Sequence, residues 1–289
     1  MLSHLKKIDW ILVAIVLLLA VFGIVSIYSS SGENILNFQK QILWIFIGFF
    51  LMIAISFFDY RILKNYRVPI VFLYTISTLL LFGVLVFGVS VRGAESWYRL
   101  GPITFEPVEL AKIILIILLA KYFSMRHIEI YRIRHIVVSG LYMFLPSALV
   151  FIQPDIGSVM LLLATWFGVM IISGIKIKHI FVLLLLGVVF IAVSWSFALQ
   201  DYQKERLLSF INSEVDPRGS GYNVAQSVIA IGSGGFLGKG LGEGTQTQLG
   251  FLPEAQTDFI YAAIVEETGL LGGILLLACF AFLIRRIMA

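Results

Sequence analysis

Carboxylates cluster at the start of the last apolar segment, in the stretch GFLPEAQTDFIYAAIVEETGLLGG at residues 250–273. A helix is predicted from Phe259 onward, with Asp258 at its start and Glu266 eight residues later on roughly the same face. Thr257 or Asp258 could cap this helix, but a cap does not explain a second carboxylate two turns deeper. A polar cavity at this end of the helix explains both, and a carboxylate there could act as a general base.

Further ionisable residues lie in or beside apolar segments, where such groups are functional candidates. Glu267 falls on nearly the opposite helical face from Asp258. Glu109 and Lys112 lie three residues apart in FEPVELAKIILIILLAKYF, so they can pair either structurally or as part of a site for an anion. Asp155 opens another apolar segment in QPDIGS, where a helix start alone explains a carboxylate, although it faces the same outer region as the others.

These residues belong to a chain that is far more apolar than a soluble domain. Of its 289 residues, 60% are hydrophobic and only 13% are charged. Runs of about 20 apolar residues recur, and each can span about 30 Å of hydrocarbon. The pattern predicts an all-α integral membrane protein, a polytopic bundle of about eight transmembrane helices. The predicted spans are residues 10–28, 41–58, 68–90, 107–123, 136–152, 156–174, 180–198 and 259–284.

Lysines and arginines of the short loops lie mostly on one side of these spans, which the positive-inside rule assigns to the cytoplasm. Both termini are then cytoplasmic, and the net charge of +4 follows from this asymmetry, so it gives no reason to propose nucleic-acid binding. We predict a single polytopic membrane domain over residues 1–289, with a large extracytoplasmic loop at 199–257. Because this loop is longer than a connection requires, it is expected to carry function.

The chemistry available on the outer side is restricted by this topology. The histidines are all predicted to be cytoplasmic: His4, His127, His135 and His179. A general base outside must then be a carboxylate, and any metal site would be oxygen-rich, suited to Mg²⁺, Mn²⁺ or Ca²⁺ and not to structural zinc. The stretch SGGFLGKG approaches a phosphate-binding P-loop, but Ser233 and Gly240 occupy positions where that motif requires Gly and Ser or Thr.

Three long stretches carry a resemblance to a known family: RGAESWYRLGPITFEPVELAKI, QPDIGS, and the run from NSEVDPRGSGYN to EETGLLGG. In these, and in the helix spacing between them, the chain resembles the RodA/FtsW family, the shape, elongation, division and sporulation (SEDS) proteins. The likeness runs through nearly the whole chain with its motifs in the same order. The segment GTQTQLGFLPE favours the RodA branch.

The resemblance implies a peptidoglycan glycosyltransferase that polymerises lipid II at the outer face of the bacterial cytoplasmic membrane. Such proteins work with a class B penicillin-binding protein, which crosslinks the glycan. The essential aspartate of the family, in TDF, corresponds to Asp258, and its Glu-x-x-Lys pair corresponds to Glu109 and Lys112. Gln256 stands where a histidine is common in the family.

The implied reaction has Asp258 as base on the acceptor hydroxyl, while lipid pyrophosphate is displaced with inversion. The departing pyrophosphate needs positive charge, and a divalent cation such as Mg²⁺ or Mn²⁺ is an additional source. No residue is assigned to a metal. The candidate substrate-binding or site-shaping residues are Glu109, Lys112, Asp155, Arg92, Arg99, Arg206, Lys239, Glu254 and Glu266.

Two other functions stay open at this stage. One is a flippase or transporter of a lipid-linked cell-wall precursor, which intramembrane charges would serve equally well. The other is a noncatalytic scaffold of the wall-synthesis complex. Family members usually have ten spans, whereas this sequence ends after the eighth predicted one, so we expect a C-terminally truncated chain or a shortened member. The expected partners are the penicillin-binding protein, lipid II and membrane lipids.

Overall fold

A computed structural model describes residues 8–32, 35–91, 94–101, 103–125, 133–197, 204 and 220–288. Over these residues the protein is almost entirely helical. The helices are α1 (Trp10–Ser30), α2 (Leu36–Ser56), α3 (Arg61–Asn65), α4 (Val68–Phe87), α5 (Pro107–Ser124), α6 (Ile133–Ile152), α7 (Ile156–Ile172), α8 (Ile177–Phe197), α9 (Ser220–Gly234), α10 (Thr245–Gln248) and α11 (Ile260–Met288).

Each predicted span coincides with a long helix of the structure, with boundaries that differ by a few residues. Among the described residues, five helices are long and apolar enough to cross a membrane, namely α1, α2, α4, α6 and α11. The helix α7 and the first part of α8 are shorter and also apolar. The prediction of a helical multi-pass membrane protein is confirmed, while the number of eight crossings stays a prediction.

A small antiparallel sheet follows α4, where the sequence indicated only a polar and aromatic loop. Its strands are β1 (Val89–Val91), β2 (Ala94–Leu100) and β3 (Ile103–Phe105), in the order β1-β2-β3. Tyr98 of β2 donates from its hydroxyl to the Leu80 carbonyl at 2.8 Å, and so ties the sheet to α4. The hydroxyl occupies the space where a side chain at Gly83 would lie, which explains the glycine there.

The described residues form two compact units, one within residues 1–58 and 193–289 and the other within residues 59–192. In the second unit, α4, α5, α6 and α7 pack against one another. Trp166 lies in its core and donates from Nε1 to Ser139 Oγ at 3.0 Å, so its one polar group is satisfied. The aliphatic core residues with no exposed surface are Leu81, Leu115, Leu119, Val150 and Leu162.

In the first unit, α11 packs against α1 and α9. α1 begins at Trp10 because the Asp9 carboxylate caps it, accepting from Leu12 N at 3.2 Å. The same carboxylate accepts from Arg286 Nε, near the end of α11, at 2.6 Å. This hydrogen bond holds the pKa of Asp9 below its ordinary value. The start of α1 and the end of α11 therefore lie together.

Candidate active site

The helix α11 is interrupted at Gly269, which has φ 73° and ψ −176° between two helical stretches. At this φ a side chain would be strained, and a Cβ would also meet the backbone of Phe236 and Gly238. The interruption leaves backbone groups near residues 266–271 without partners inside the helix. Such groups must be satisfied elsewhere when they are buried.

The glycine-rich loop at residues 234–244 supplies the missing partners. Lys239 N donates to the Glu266 carbonyl and Gly240 N to the Glu267 carbonyl, each at 3.0 Å. In the other direction, Leu270 N donates to the Gly235 carbonyl at 3.0 Å. The N–H groups of Lys239 and Gly240 are therefore used inside the protein, which is a physical reason against a phosphate-cradling role for this part of the loop.

Glu266 is fully buried, with 0% of its surface exposed, and its carboxylate is surrounded by donors. It accepts from Gln246 N at 2.8 Å, from Thr247 N at 3.0 Å and from Thr247 Oγ1 at 2.8 Å. Lys239 Nζ pairs with it at 3.0 Å and also donates to Thr245 Oγ1 at 2.7 Å. A buried carboxylate is stable only when paired in this way, so this network, and not a polar cavity, explains Glu266.

Glu267 is also buried and faces the same glycine-rich loop. Its carboxylate accepts from Gly242 N at 3.2 Å and from the hydroxyl of Ser29 at the end of α1. Asp258 precedes α11, which begins only at Ile260. Glu266 and Glu267 therefore cannot be assigned to the same helical face as Asp258 or to the opposite one. The carboxylates of residues 266 and 267 thus hold the loop and α1 against the interrupted helix.

Asp258 lies in a turn over residues 253–259 and is exposed. Its carboxylate makes no hydrogen bond or ion pair with any residue that the structure describes, so it does not act as the cap of α11. The turn is closed by two N–H groups that donate to the Glu254 carbonyl, from Thr257 at 3.0 Å and from Phe259 at 3.2 Å. A solvent-accessible carboxylate without such partners is free to contact a bound molecule.

Apolar packing fixes the two sides of this turn to the first unit. Leu252 is buried with Ala230 of α9 and with Ala262 and Ala263 of α11, and Phe259 packs against the same cluster. The Leu252 N–H also donates to the Gln246 carbonyl at 2.9 Å. Asp258 is therefore exposed between Leu252 and Phe259, which both pack against α9 and α11.

In the second unit, Glu109 and Lys112 form the predicted pair, with Oε1 and Nζ 2.7 Å apart. The Lys112 side chain is 16% exposed and that of Glu109 is 63% exposed, so the lysine is the more enclosed partner. Asp155 caps α7, accepting from Ser158 N at 3.1 Å, as expected of a helix start. Arg99 is exposed on β2.

Glu106 is a residue of this unit that the sequence analysis did not select. It precedes Pro107 at the start of α5. Partial burial raises the pKa of its carboxyl to about 6, helped by repulsion from Asp155 and Glu109 and opposed by Lys112. The signal that could have identified it is its position directly before the helix that carries Glu109 and Lys112.

The other predicted site residues are distributed as follows. Lys239 is paired with Glu266, while Glu254 is exposed and accepts from Thr257 Oγ1 at 3.0 Å. Arg92 and Arg206 lie outside the described residues. Within the part of the chain that the structure describes, no three His, Cys, Asp or Glu residues are grouped so that they could hold a metal ion.

Comparisons with known proteins agree with this fold and these motifs. Residues 9–289 match the sequence model of the family FTSW_RODA_SPOVE, described as a cell cycle protein. Peptidoglycan glycosyltransferase MrdB of Escherichia coli (strain K12) is 37% identical over 278 residues, which cover 96% of this chain and 74% of MrdB.

Solved structures give the same result. A chain from a peptidoglycan synthase complex, described as coordinating polymerization and crosslinking, matches with TM-score 0.77 and 32% identity over 96% of this chain and 76% of that one. The rod shape determining protein RodA of Thermus thermophilus matches with TM-score 0.65 and 27% identity over 96% and 73%. This chain belongs to the FtsW/RodA/SpoVE family, and the similarity to MrdB and RodA supports the RodA branch.

Proposed function

We propose that this membrane protein is a peptidoglycan glycosyltransferase that polymerises lipid II, with Asp258 as the catalytic base. The observation that carries the proposal is the contrast among the carboxylates near the start of α11. Asp258 is exposed and unpaired among the described residues, whereas Glu266 and Glu267 are buried and hydrogen-bonded. Family membership and the name of MrdB support the reaction type.

In the proposed reaction, the Asp258 carboxylate accepts the proton of the acceptor sugar hydroxyl. The hydroxyl oxygen forms a new bond to the anomeric carbon of the donor. The bond from that carbon to the lipid pyrophosphate breaks, and the pyrophosphate leaves with the electron pair. A single displacement inverts the anomeric carbon and needs one base but no covalent nucleophile.

The leaving pyrophosphate requires positive charge. The cations proposed for this role, Lys112, Arg99, Arg92 and Arg206, stay predictions from the sequence. Lys239 is a weaker candidate for binding the pyrophosphate, because its ammonium already neutralises the buried Glu266. A divalent cation bound with the pyrophosphate would supply further charge.

We further propose that Asp258 faces the outer side of the bacterial cytoplasmic membrane, where a class B penicillin-binding protein crosslinks the product. The bias of lysine and arginine in the short loops supports this orientation. The ion pair between Asp9 and Arg286 is consistent with both ends of the chain lying on one side of the membrane, because this pair brings the start of α1 and the end of α11 together.

A reconstitution experiment tests the function. The purified chain and the class B penicillin-binding protein of its own organism are inserted into liposomes with labelled lipid II. We expect glycan polymer together with free lipid pyrophosphate. Movement of lipid II across the bilayer without polymer would instead support the transporter, and neither activity, with partner binding preserved, would support the scaffold.

A further inference from the structure

The C-terminal end of α1 is completed by side chains from the segment that carries Asp258. The last carbonyls of a helix have no partner within it. The Ser29 carbonyl accepts from Gln248 Nε2 at 2.7 Å, and the Ser30 carbonyl accepts from Gln256 Nε2 at 3.1 Å. Gln248, at the end of α10, and Gln256, in the turn of Asp258, thus each contact the end of α1.

Gln256 uses both ends of its carboxamide. Its Nε2 also lies 3.4 Å from Ser31 Oγ, while its Oε1 accepts from Asn37 Nδ2 at 2.7 Å. Ser31 follows α1 and Asn37 lies in the first turn of α2, so Gln256 bridges the connection between these two helices. The amide offers a donor and an acceptor in one planar group, whereas an ionised carboxylate has no donor.

This bridge lies two residues from Asp258, within the same turn. The Asp258 carboxylate itself has no hydrogen-bond partner among the described residues, so its location is set by the backbone of the turn. The N–H groups of Thr257 and Phe259 bind the Glu254 carbonyl and so fix the turn only to itself. The side chain of Gln256 ties the turn to elements outside α11.

We propose that Gln256 is a positioning residue, whose carboxamide fixes the turn at residues 253–259 to the α1–α2 connection and thereby places the Asp258 carboxylate. The inference rests on the proposed glycosyltransferase function. A base that is displaced by about 1 Å can lose about 100-fold in rate although the substrate binds as before. Loss of the bridge should therefore lower kcat and leave KM nearly unchanged.

The test compares Gln256→Met and Gln256→Glu with Gln248→Met, in the complex with the penicillin-binding protein and labelled lipid II. Gln248→Met is the control, because it also removes an amide from an α1 carbonyl, together with a hydrogen bond to Glu267, at a position ten residues from Asp258. We expect both Gln256 variants to lose about 10-fold or more in kcat with KM within about twofold. The control should keep kcat within about twofold of wild type, although its Tm should fall by about as much as that of the Gln256 variants.

Asn37→Ala provides a second variant that leaves Gln256 in place and removes only the bond to Oε1. We expect a smaller loss of kcat, again without a change in KM. The inference is overturned if Gln248→Met loses as much kcat as Gln256→Met, or if the losses merely follow the fraction of unfolded protein. If wild type polymerises lipid II and Gln256→Met equals it, only this inference fails, whereas absence of polymer from wild type removes the proposed function as well.

Discussion

At the scale of single residues, burial and hydrogen bonding decide which carboxylate can take part in chemistry. Glu266 is 0% exposed and accepts four short bonds, including one from the ammonium of Lys239. A buried carboxylate in such surroundings could contact a substrate only if these bonds were broken and its charge were left unpaired. Asp258, nearby in the sequence, is exposed and free of such partners among the described residues. Asp258 is therefore accessible to a substrate, whereas Glu266 is not.

The motif TDF selects Asp258 as the candidate base, but the sequence could not predict the surroundings of Glu266. The donors of Glu266 come from residues 239–247, about twenty residues earlier in the chain. Helical periodicity relates residues of one helix only, so contacts with a loop elsewhere are outside its reach. For the same reason, the sequence could not predict the hydrogen bonds of Gln256 with Ser30 and Asn37.

The pKa of Glu106 leads to a prediction about stability and pH. Because the folded value of about 6 lies above the ordinary 4.5, the folded state binds more protons between these values. This contribution to stability is full below about pH 4.5 and is lost as pH rises through about 6. Glu106→Gln, which stays neutral, should abolish that decline and raise the free energy of unfolding above pH 6 by about 1 kcal/mol.

Thermal unfolding of the detergent-solubilised protein, from about pH 4 to pH 8, provides the measurement for Glu106→Gln. Glu243→Gln removes an exposed carboxylate from the first unit and serves as the control for net charge. If the stability of wild type and that of Glu106→Gln change with pH in the same way across this range, the raised pKa of Glu106 is contradicted.

At the scale of elements, the interrupted helix α11 and the glycine-rich loop form one structure. The apolar runs made the helices predictable, because a span of hydrocarbon length is a strong signal. The interruption at Gly269 was not predictable, since a helix tolerates isolated glycines and the replacement bonds come from a loop distant in sequence. The small sheet was missed because β1 and β3 have only three residues each.

Gly269→Ala tests whether the interruption is required. The positive φ and the close backbone of residues 236–238 leave no room for a methyl group. We expect a loss of roughly 2 kcal/mol or more in the free energy of unfolding. Thermal unfolding of the purified protein measures this loss.

Gly232→Ala is the control for Gly269→Ala. Gly232 lies inside α9, where an added Cβ meets no atom within 4 Å, so alanine should stabilise the helix by up to about 1 kcal/mol. Equal Tm values for both variants would show that the docking of the loop at Gly269 is unimportant.

At the scale of the whole molecule, the proposed reaction requires Asp258 on the outer side of the membrane. Cys279 is the only cysteine, so a Cys279→Ser background permits labelling at single introduced sites. Thr257 and Met288 are both exposed and lie at opposite ends of α11. In intact cells, a membrane-impermeant maleimide should label Thr257→Cys, and label Met288→Cys only after the membrane is opened.

The reverse labelling pattern would place the turn of Asp258 in the cytoplasm. It would contradict the orientation inferred from the basic loops.

Polymerisation of labelled lipid II by Asp258→Asn tests whether the Asp258 carboxylate accepts the proton of the acceptor hydroxyl. The variant keeps the size of the side chain but removes the base, so the account predicts loss of polymer by a factor of about 100 or more, with unchanged Tm and partner binding. Asp258→Glu, which retains a displaced carboxylate, should keep part of the rate. Glycan chains of normal length and yield from Asp258→Asn would contradict the account.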